Sequence, residues 1–245
     1  MRRHVPNILT LFNLFCGTAA IVFTVEGNWR WAVYLILAAS LFDFLDGLAA
    51  RWLRAHSETG KYLDSLSDMV TFGVLPAVMI YMIYRHMFVL DAEGLAGRQA
   101  VQWFILASVM VVPAFSAIRL ARYNLQEEGE NIFSGLATPA HALFWTGIYW
   151  EIMKEGLLFQ HDSSVWFIWV VQIIMAIHMI LPVPMFSLKF EHFRLKGNGI
   201  RYLFLLISLI ILIVAWIPGL TLIILVYMLL SLVGLLAVRW KKPSQ

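Results

Sequence analysis

The stretch DFLDGLAARWLRAHSETGKYLDSLSD, residues 43–68, places four aspartates, Asp43, Asp46, Asp64 and Asp68, within segments otherwise apolar enough to lie in a bilayer. The whole chain carries 15 acidic residues, so four in this one place require a reason. An ionisable side chain in a membrane segment is costly unless it is paired, hydrated or bound to a cation, and such residues mark functional sites. The spacing is helical. Asp43, Asp46, Gly47 and Ala50 fall at i, i+3, i+4 and i+7, one face of a helix. Gly60, Asp64 and Asp68 fall at i, i+4 and i+8, again one face. A short connection makes the two helices antiparallel neighbours, so the two acidic faces can meet around a single point.

Composition sets the environment. Apolar residues make up 61% of the 245-residue chain and charged residues 13%, against about 45–50% and about 25% in soluble domains. Long apolar runs recur along the whole length, which predicts an all-α, polytopic membrane protein. A transmembrane helix needs roughly 20 mostly apolar residues. Eight segments meet that description, at about 6–25, 31–54, 62–84, 100–122, 136–153, 163–185, 200–217 and 219–238. The fifth is the weakest, being short and interrupted by Pro139 and His141. Met1-Arg2-Arg3 followed by an apolar run imitates a signal peptide, but Pro6, Asn7 and Asn13 interrupt the run and further spans follow at once. The expectation is a retained first helix. No repeat or low-complexity linker divides the chain.

Basic residues give the orientation. With the amino terminus in the cytoplasm, 14 of the 18 Lys and Arg fall on the cytoplasmic side, and only Arg30, Arg85, Arg98 and Lys154 on the other. This alternation through eight spans puts both termini and the acidic cluster on the cytoplasmic side. The formal charge of +3 is too small to point to nucleic acid. Cys16 is the single cysteine, so neither an intramolecular disulfide nor a multi-cysteine metal site can form.

Four clustered carboxylates repel unless some are protonated or a cation lies between them. Oxygen ligands without Cys or His select a hard ion, Mg²⁺, Mn²⁺ or Ca²⁺. A pair of such ions is a common solution for phosphoryl displacement, and one carboxylate could serve as general base on an incoming hydroxyl. On spacing alone this reading stands beside two others: a structural cluster paired with Arg51, Arg54 and Lys61, or a cation pathway in a transporter.

Written as a pattern, the stretch is Asp43-x2-Asp46-Gly47-x2-Ala50-Arg51-x8-Gly60-x3-Asp64-x3-Asp68. In every fixed position and gap it resembles the signature of the CDP-alcohol phosphotransferase family. The resemblance implies a membrane enzyme with a six-helix core, usually homodimeric, that moves a substituted phosphate from a CDP-linked donor to an alcohol and releases CMP. It implies that Asp43, Asp46, Asp64 and Asp68 hold Mg²⁺ or Mn²⁺, two ions in all, and that Asp68 doubles as the base. Gly47, Ala50, Arg51 and Gly60 would line the CDP site, where small residues let a nucleotide approach the backbone.

Flanking runs resemble one branch, the membrane-integral phosphatidylserine synthases. Ser67-Asp68-Met69-Val70-Thr71-Phe72-Gly73-Val74-Leu75-Pro76-Ala77 is similar to that branch's ADMVSFGVAPA, with departures at Ser67, Thr71 and Leu75. Pro6-Asn7-x2-Thr10-x2-Asn13-x3-Gly17, Arg119-Leu120-Ala121-Arg122-Tyr123-Asn124, the run 133–140 and Ser187-Leu188-Lys189-Phe190 also resemble it. The resemblance covers about residues 6–190 and implies CDP-diacylglycerol and serine as substrates, drawn from and returned to membrane lipid. Thr10 and Asn13 would touch the nucleotide. Arg119, Arg122 and Lys189 would hold donor phosphate or the serine carboxylate, since Arg grips either bidentately. Residues 1–190 would form the core. Residues 191–245 would add a cytoplasmic loop and two further membrane helices, in the inner membrane of a prokaryote. Another acceptor, glycerol 3-phosphate, inositol phosphate or choline, is the alternative within the same chemistry, and a cation transporter the alternative outside it.

Overall fold

The computed structural model describes residues 4–55, 57–90, 99–125, 135–155, 162–185 and 198–240, with side chains described throughout except at 89–90, 155, 162–163 and 234–240. Among these residues every extended regular element is helical. The described residues form ten α-helices: α1 Val5–Val25, α2 Trp29–Trp52, α3 Glu58–Asp68, α4 Leu75–Leu90, α5 Gln99–Ser108, α6 Val111–Leu125, α7 Thr138–Glu155, α8 Asp162–Ile180, α9 Gly199–Ala215 and α10 Gly219–Trp240. A π-helical segment, Met69–Val74, joins α3 to α4 without a break. The stretches Val5–Val25, Trp29–Trp52, Glu58–Phe88 and Gln99–Leu125 are long and apolar enough to cross a membrane, and Ser164–Ile180, Gly199–Ala215 and Gly219–Val233 are apolar but shorter. The chain is a polytopic helical membrane protein. Each of the eight expected segments overlaps a helix, the sixth ending at Ile180 rather than at 185, although length and composition identify four as full spans among the described residues.

Three helices differ from the sequence expectation, each for a local reason. The third begins at Glu58 rather than at 62. Ser57 caps it, its Oγ accepting the Gly60 N–H at 3.0 Å, one of the orphan donors of a helix start. The fourth is broken into α5 and α6 at Val109–Met110. Pro113 lies just beyond, and a proline ring collides with the carbonyl four residues earlier, here that of Val109. The Val112 N–H bonds Val109 O instead of Ser108 O. Gln172 Nε2 donates to the freed Ser108 carbonyl at 2.9 Å, and Tyr84 donates to Gln172 Oε1 at 2.7 Å. A freed backbone group must find such a partner where water is absent. In the fifth helix Pro139 occupies the first turn of α7, where its missing N–H costs nothing. It starts the helix rather than interrupting it. His141 is buried in the same helix, its Nε2 accepting from Trp145 Nε1 at 3.1 Å.

The core centres on α4, α7 and the π segment and draws on most of the other helices, with Phe72, Ile80, Tyr84, Trp145 and Tyr149 among its fully buried side chains. Helix α1 packs along α2 and also lies on α3 and the π segment. Helix α10 packs on α7 and α9, tied by Thr221 Oγ1 donating to Phe144 O at 2.8 Å.

In lipid, where apolar burial gives helices no preference for one another, close backbone approach matters more. It is tight at Gly17 of α1, which lies against Thr71 of the π segment. A Cβ there would collide with Thr71 Oγ1 and lie 2.9 Å from Thr71 Cβ. Gly17→Val is therefore expected to destabilise the protein by about 1–3 kcal/mol, read as a lowered midpoint of thermal unfolding in detergent. An added Cβ at Gly47 meets nothing within 4 Å, so Gly47→Ala should leave that midpoint in place.

Candidate active site

Four aspartates, two on α2 and two on α3, come to one end of the bundle. Helices α2 and α3 follow one another with only a few residues between them, but they do not pack on each other as the antiparallel neighbours the sequence suggests; both pack on α1, and the aspartates come together beside it. Asp43, Asp64 and Asp68 each offer a carboxylate oxygen, and these oxygens lie within 4.8 Å of one another. The carboxyl groups of Asp43 and Asp68 are within hydrogen-bonding reach. Asp46 is buried, 6% exposed. It stands outside that group of three, and its Oδ2 accepts from Thr10 Oγ1 at 2.7 Å.

The arrangement fits a hard cation. The donors are all carboxylate oxygens, which cannot approach so closely as free anions without a proton or a cation among them. Asp64 Oδ1 is buried and has no hydrogen-bond partner. An orphaned buried acceptor of this kind calls for an unseen partner, and a divalent ion would satisfy it. Among the described residues the cluster offers three carboxylates and no Cys or His, a donor set that suits a hard ion.

The other expected site residues divide. Gly47 opens on free space and Ala50 is half-buried beside it. Arg51 is exposed, its Nε donating to Gly47 O at 3.0 Å. Gly60 is confined, since a Cβ would come within 2.9 Å of Ser57 Oγ and 3.1 Å of Asn7 Oδ1. Thr10 and Asn13 are buried, and both turn to carboxylates: Thr10 to Asp46, and Asn13 through Nδ2 to Asp68 Oδ1 at 3.3 Å.

The two arginines of α6 part company. Arg119 turns inward, electrostatically coupled to Asp68, with Nη1 donating to Thr138 Oγ1 at 3.4 Å and a buried Nε that has no partner. Arg122 is exposed and donates from Nη1 to Ile180 O at 3.0 Å. There it meets the last carbonyls of α8, the end of a helix dipole that favours a cation. Lys189 lies outside the described residues.

Four further residues contribute in ways the sequence did not indicate. Lys61, a possible counter-charge for the aspartates by its position, instead donates from Nζ to Asn124 O at 2.8 Å, and Ser65 and Asn124 bond side chain to side chain at 2.8 Å. Both contacts bind α3 to α6 at the level of the acidic cluster. Tyr227, on α10, lies within electrostatic reach of Arg119. Only the polar character of Ser65 and Asn124 in an apolar background hinted at this. Tyr227 gave no signal at all.

The fold and site define a class: a polytopic helical membrane protein with a buried carboxylate centre suited to a divalent cation, open beside small residues and faced by an arginine. Over residues 3–183 the chain matches the CDP-alcohol phosphatidyltransferase family, and it belongs to that family. It is 34% identical over 170 residues to a protein of Mycobacterium bovis named CDP-diacylglycerol–serine O-phosphatidyltransferase, covering 66% of this chain and 54% of the relative. A Bacillus subtilis protein of the same name is 30% identical over 136 residues, 56% of this chain and 70% of the relative. An archaetidylserine synthase of Methanothermobacter thermautotrophicus is 31% identical over 164 residues, 62% of this chain and 63% of the relative. The chain spans about half the length of the mycobacterial relative, matching 54% of it. Helices α9 and α10 lie beyond the matched region.

Proposed function

We propose that this protein transfers the phosphatidyl group of CDP-diacylglycerol to the hydroxyl of L-serine, giving phosphatidylserine and CMP. The observation that carries the chemistry is the approach of Asp43, Asp64 and Asp68 within 4.8 Å, in a chain of this family. The choice of serine is supported by the names of the relatives and by the inward Arg119, a cation for the acceptor's carboxylate.

In this reading Asp43, Asp46, Asp64 and Asp68 hold Mg²⁺ or Mn²⁺, two ions in all, which when bound neutralise the charge of the donor's pyrophosphate. Gly47 and Ala50 leave room for the nucleotide, with Arg51 and Gly60 at its edge. Asp68 takes the proton from the serine hydroxyl. The hydroxyl oxygen bonds to the lipid-side phosphorus as the bond from that phosphorus to the CMP oxygen breaks. CMP leaves with both electrons of that bond, and no covalent enzyme intermediate forms. Of the two arginines we assign substrate to Arg119, with Lys189 as a further cation for donor phosphate or acceptor carboxylate.

The same reading puts the site and both termini on the cytoplasmic face of a prokaryotic inner membrane and pairs the chain as a homodimer. It treats residues 1–190 as the catalytic core and 191–245 as a loop with two added helices.

The test is CMP release by the purified protein in detergent with CDP-diacylglycerol. L-serine, glycerol 3-phosphate, inositol phosphate and choline are compared, each with Mg²⁺, with Mn²⁺ and with a chelator. Release is expected with serine alone and only when metal is present. Release with another alcohol would move the assignment to that acceptor, and none with any alcohol would sink the enzymatic reading.

A further inference from the structure

Helix α1 carries a buried polar ladder. Thr10, Asn13 and Gly17, at i, i+3 and i+7, face α3 and the π segment, and the side chains of Thr10 and Asn13 are 3% and 0% exposed. The ties run both ways. Thr10 Oγ1 reaches Asp46 Oδ2 at 2.7 Å, and Asn13 Nδ2 reaches Asp68 Oδ1 at 3.3 Å. In return Ser67 Oγ donates to Thr10 O at 3.1 Å and Thr71 Oγ1 to Asn13 O at 3.4 Å. Thr10 Oγ1 also lies 3.1 Å from Pro6 O. Its single proton favours the carboxylate, the shorter and charge-assisted bond.

We propose that Thr10 and Asn13 are positioning residues, orienting Asp46 and Asp68 rather than touching the nucleotide. The inference rests on the metal-dependent transferase reading for its consequences, but its basis is separate. Both side chains are buried, and the single hydroxyl proton of Thr10 and an N–H of Asn13 go to carboxylates, which places each side chain to hold a neighbour. Two carboxylates on different helices each receive one donor from α1, so the relative position of Asp46 and Asp68 is set by a third helix. The π segment starts directly after Asp68, a feature common at functional sites. Its Thr71 bonds back to the Asn13 carbonyl, and Gly17 has no Cβ to push the two apart. Groups that orient metal-binding carboxylates typically change metal affinity or activity by about 10–100-fold when removed.

The test uses the full chain in detergent and four substitutions: Thr10→Val, Thr10→Ser, Asn13→Leu and Ser67→Ala. Mn²⁺ affinity is read from the electron paramagnetic resonance of free Mn²⁺. CMP affinity at saturating Mn²⁺ is read by calorimetry, and kcat and KM for CDP-diacylglycerol from turnover. Thr10→Val and Asn13→Leu should weaken Mn²⁺ binding or lower kcat by about 10–100-fold, with CMP affinity and KM held within about threefold. Thr10→Ser should restore the wild-type values. Ser67→Ala removes a helix–helix tie that touches no carboxylate, and it should change neither Mn²⁺ affinity nor kcat. Weakened CMP binding with kcat and Mn²⁺ affinity intact would make these residues nucleotide contacts and overturn the proposal. Losses in Ser67→Ala equal to those in Thr10→Val or Asn13→Leu would also overturn it, reducing the ladder to packing. If Thr10→Val does not fold, Asn13→Leu set against Ser67→Ala still separates positioning from nucleotide contact and from packing. A wild-type protein that binds no Mn²⁺ and releases no CMP would instead remove the transferase reading and, with it, the role proposed for α1.

Discussion

Asp68→Asn is expected to abolish serine-dependent CMP release while leaving the protein folded. The substitution keeps size and shape and retains an Oδ1 that can accept from Asn13 Nδ2, the bond seen at 3.3 Å. It removes the basic oxygen that the proposed mechanism assigns to accept the serine proton. General base catalysis is worth about 10²–10⁴-fold, and a loss of that order in kcat is the prediction. The loss should exceed that in Asp46→Asn, because Asp46 lies outside the group of three and is engaged by Thr10. Monodispersity on gel filtration and an unchanged helical circular dichroism spectrum would establish that the variant is folded. Turnover near the wild-type rate in a folded Asp68→Asn protein would remove the base assignment.

The second large effect separates Arg119 from Arg122. Arg119→Ala should lower kcat/KM for serine by about 30-fold or more, since losing one partner of a buried charge pair costs about 2–5 kcal/mol and about 1.4 kcal/mol is tenfold. Arg119→Lys should recover only part, because an ammonium cannot make the paired contacts of a guanidinium. Arg122→Ala should lower kcat/KM by less than about tenfold, its bond to Ile180 O being worth about 1 kcal/mol of stability. Steady-state kinetics with varied serine at saturating CDP-diacylglycerol, together with thermal unfolding, separate the two. Equal kinetic losses at both positions would show that the inward and outward orientations do not matter to the acceptor.

These two arginines show where a linear reading runs out. Three residues apart on one helix, they look equivalent in the sequence, and the resemblance assigns substrate to both. Which one turns inward depends on what stands around each: Thr138 as hydrogen-bond acceptor, with Asp68 in electrostatic reach, for Arg119, and the end of α8 for Arg122. That depends on contacts between residues far apart in sequence. Thr10 and Asn13 make the same point. Their spacing marks a helix face, and the resemblance directs it to the nucleotide. The fold turns it to Asp46 and Asp68 across intervals of 36 and 55 residues. The break at Val109–Met110 is legible in Pro113, but its repair by Gln172 is not, because the donor comes from a helix some sixty residues on.

The sequence by itself determined the helical membrane character and the acidic centre. Both are local properties: an apolar run long enough for a bilayer, and aspartates recurring with the period of one helix face. Ligand type, carboxylates rather than Cys or His, made a hard ion the candidate partner of the four aspartates in residues 43–68, while spacing alone left a structural cluster and a cation pathway open. Only the tertiary structure decided that three of the four aspartates close on one point while Asp46 is tied to α1, and that one arginine of the pair faces them. Those outcomes depend on how far each helix is turned about its axis. In a bilayer that rotation is set by close contacts such as Gly17 against Thr71 and by buried side-chain bonds between helices, none of which lies within a single segment of the chain.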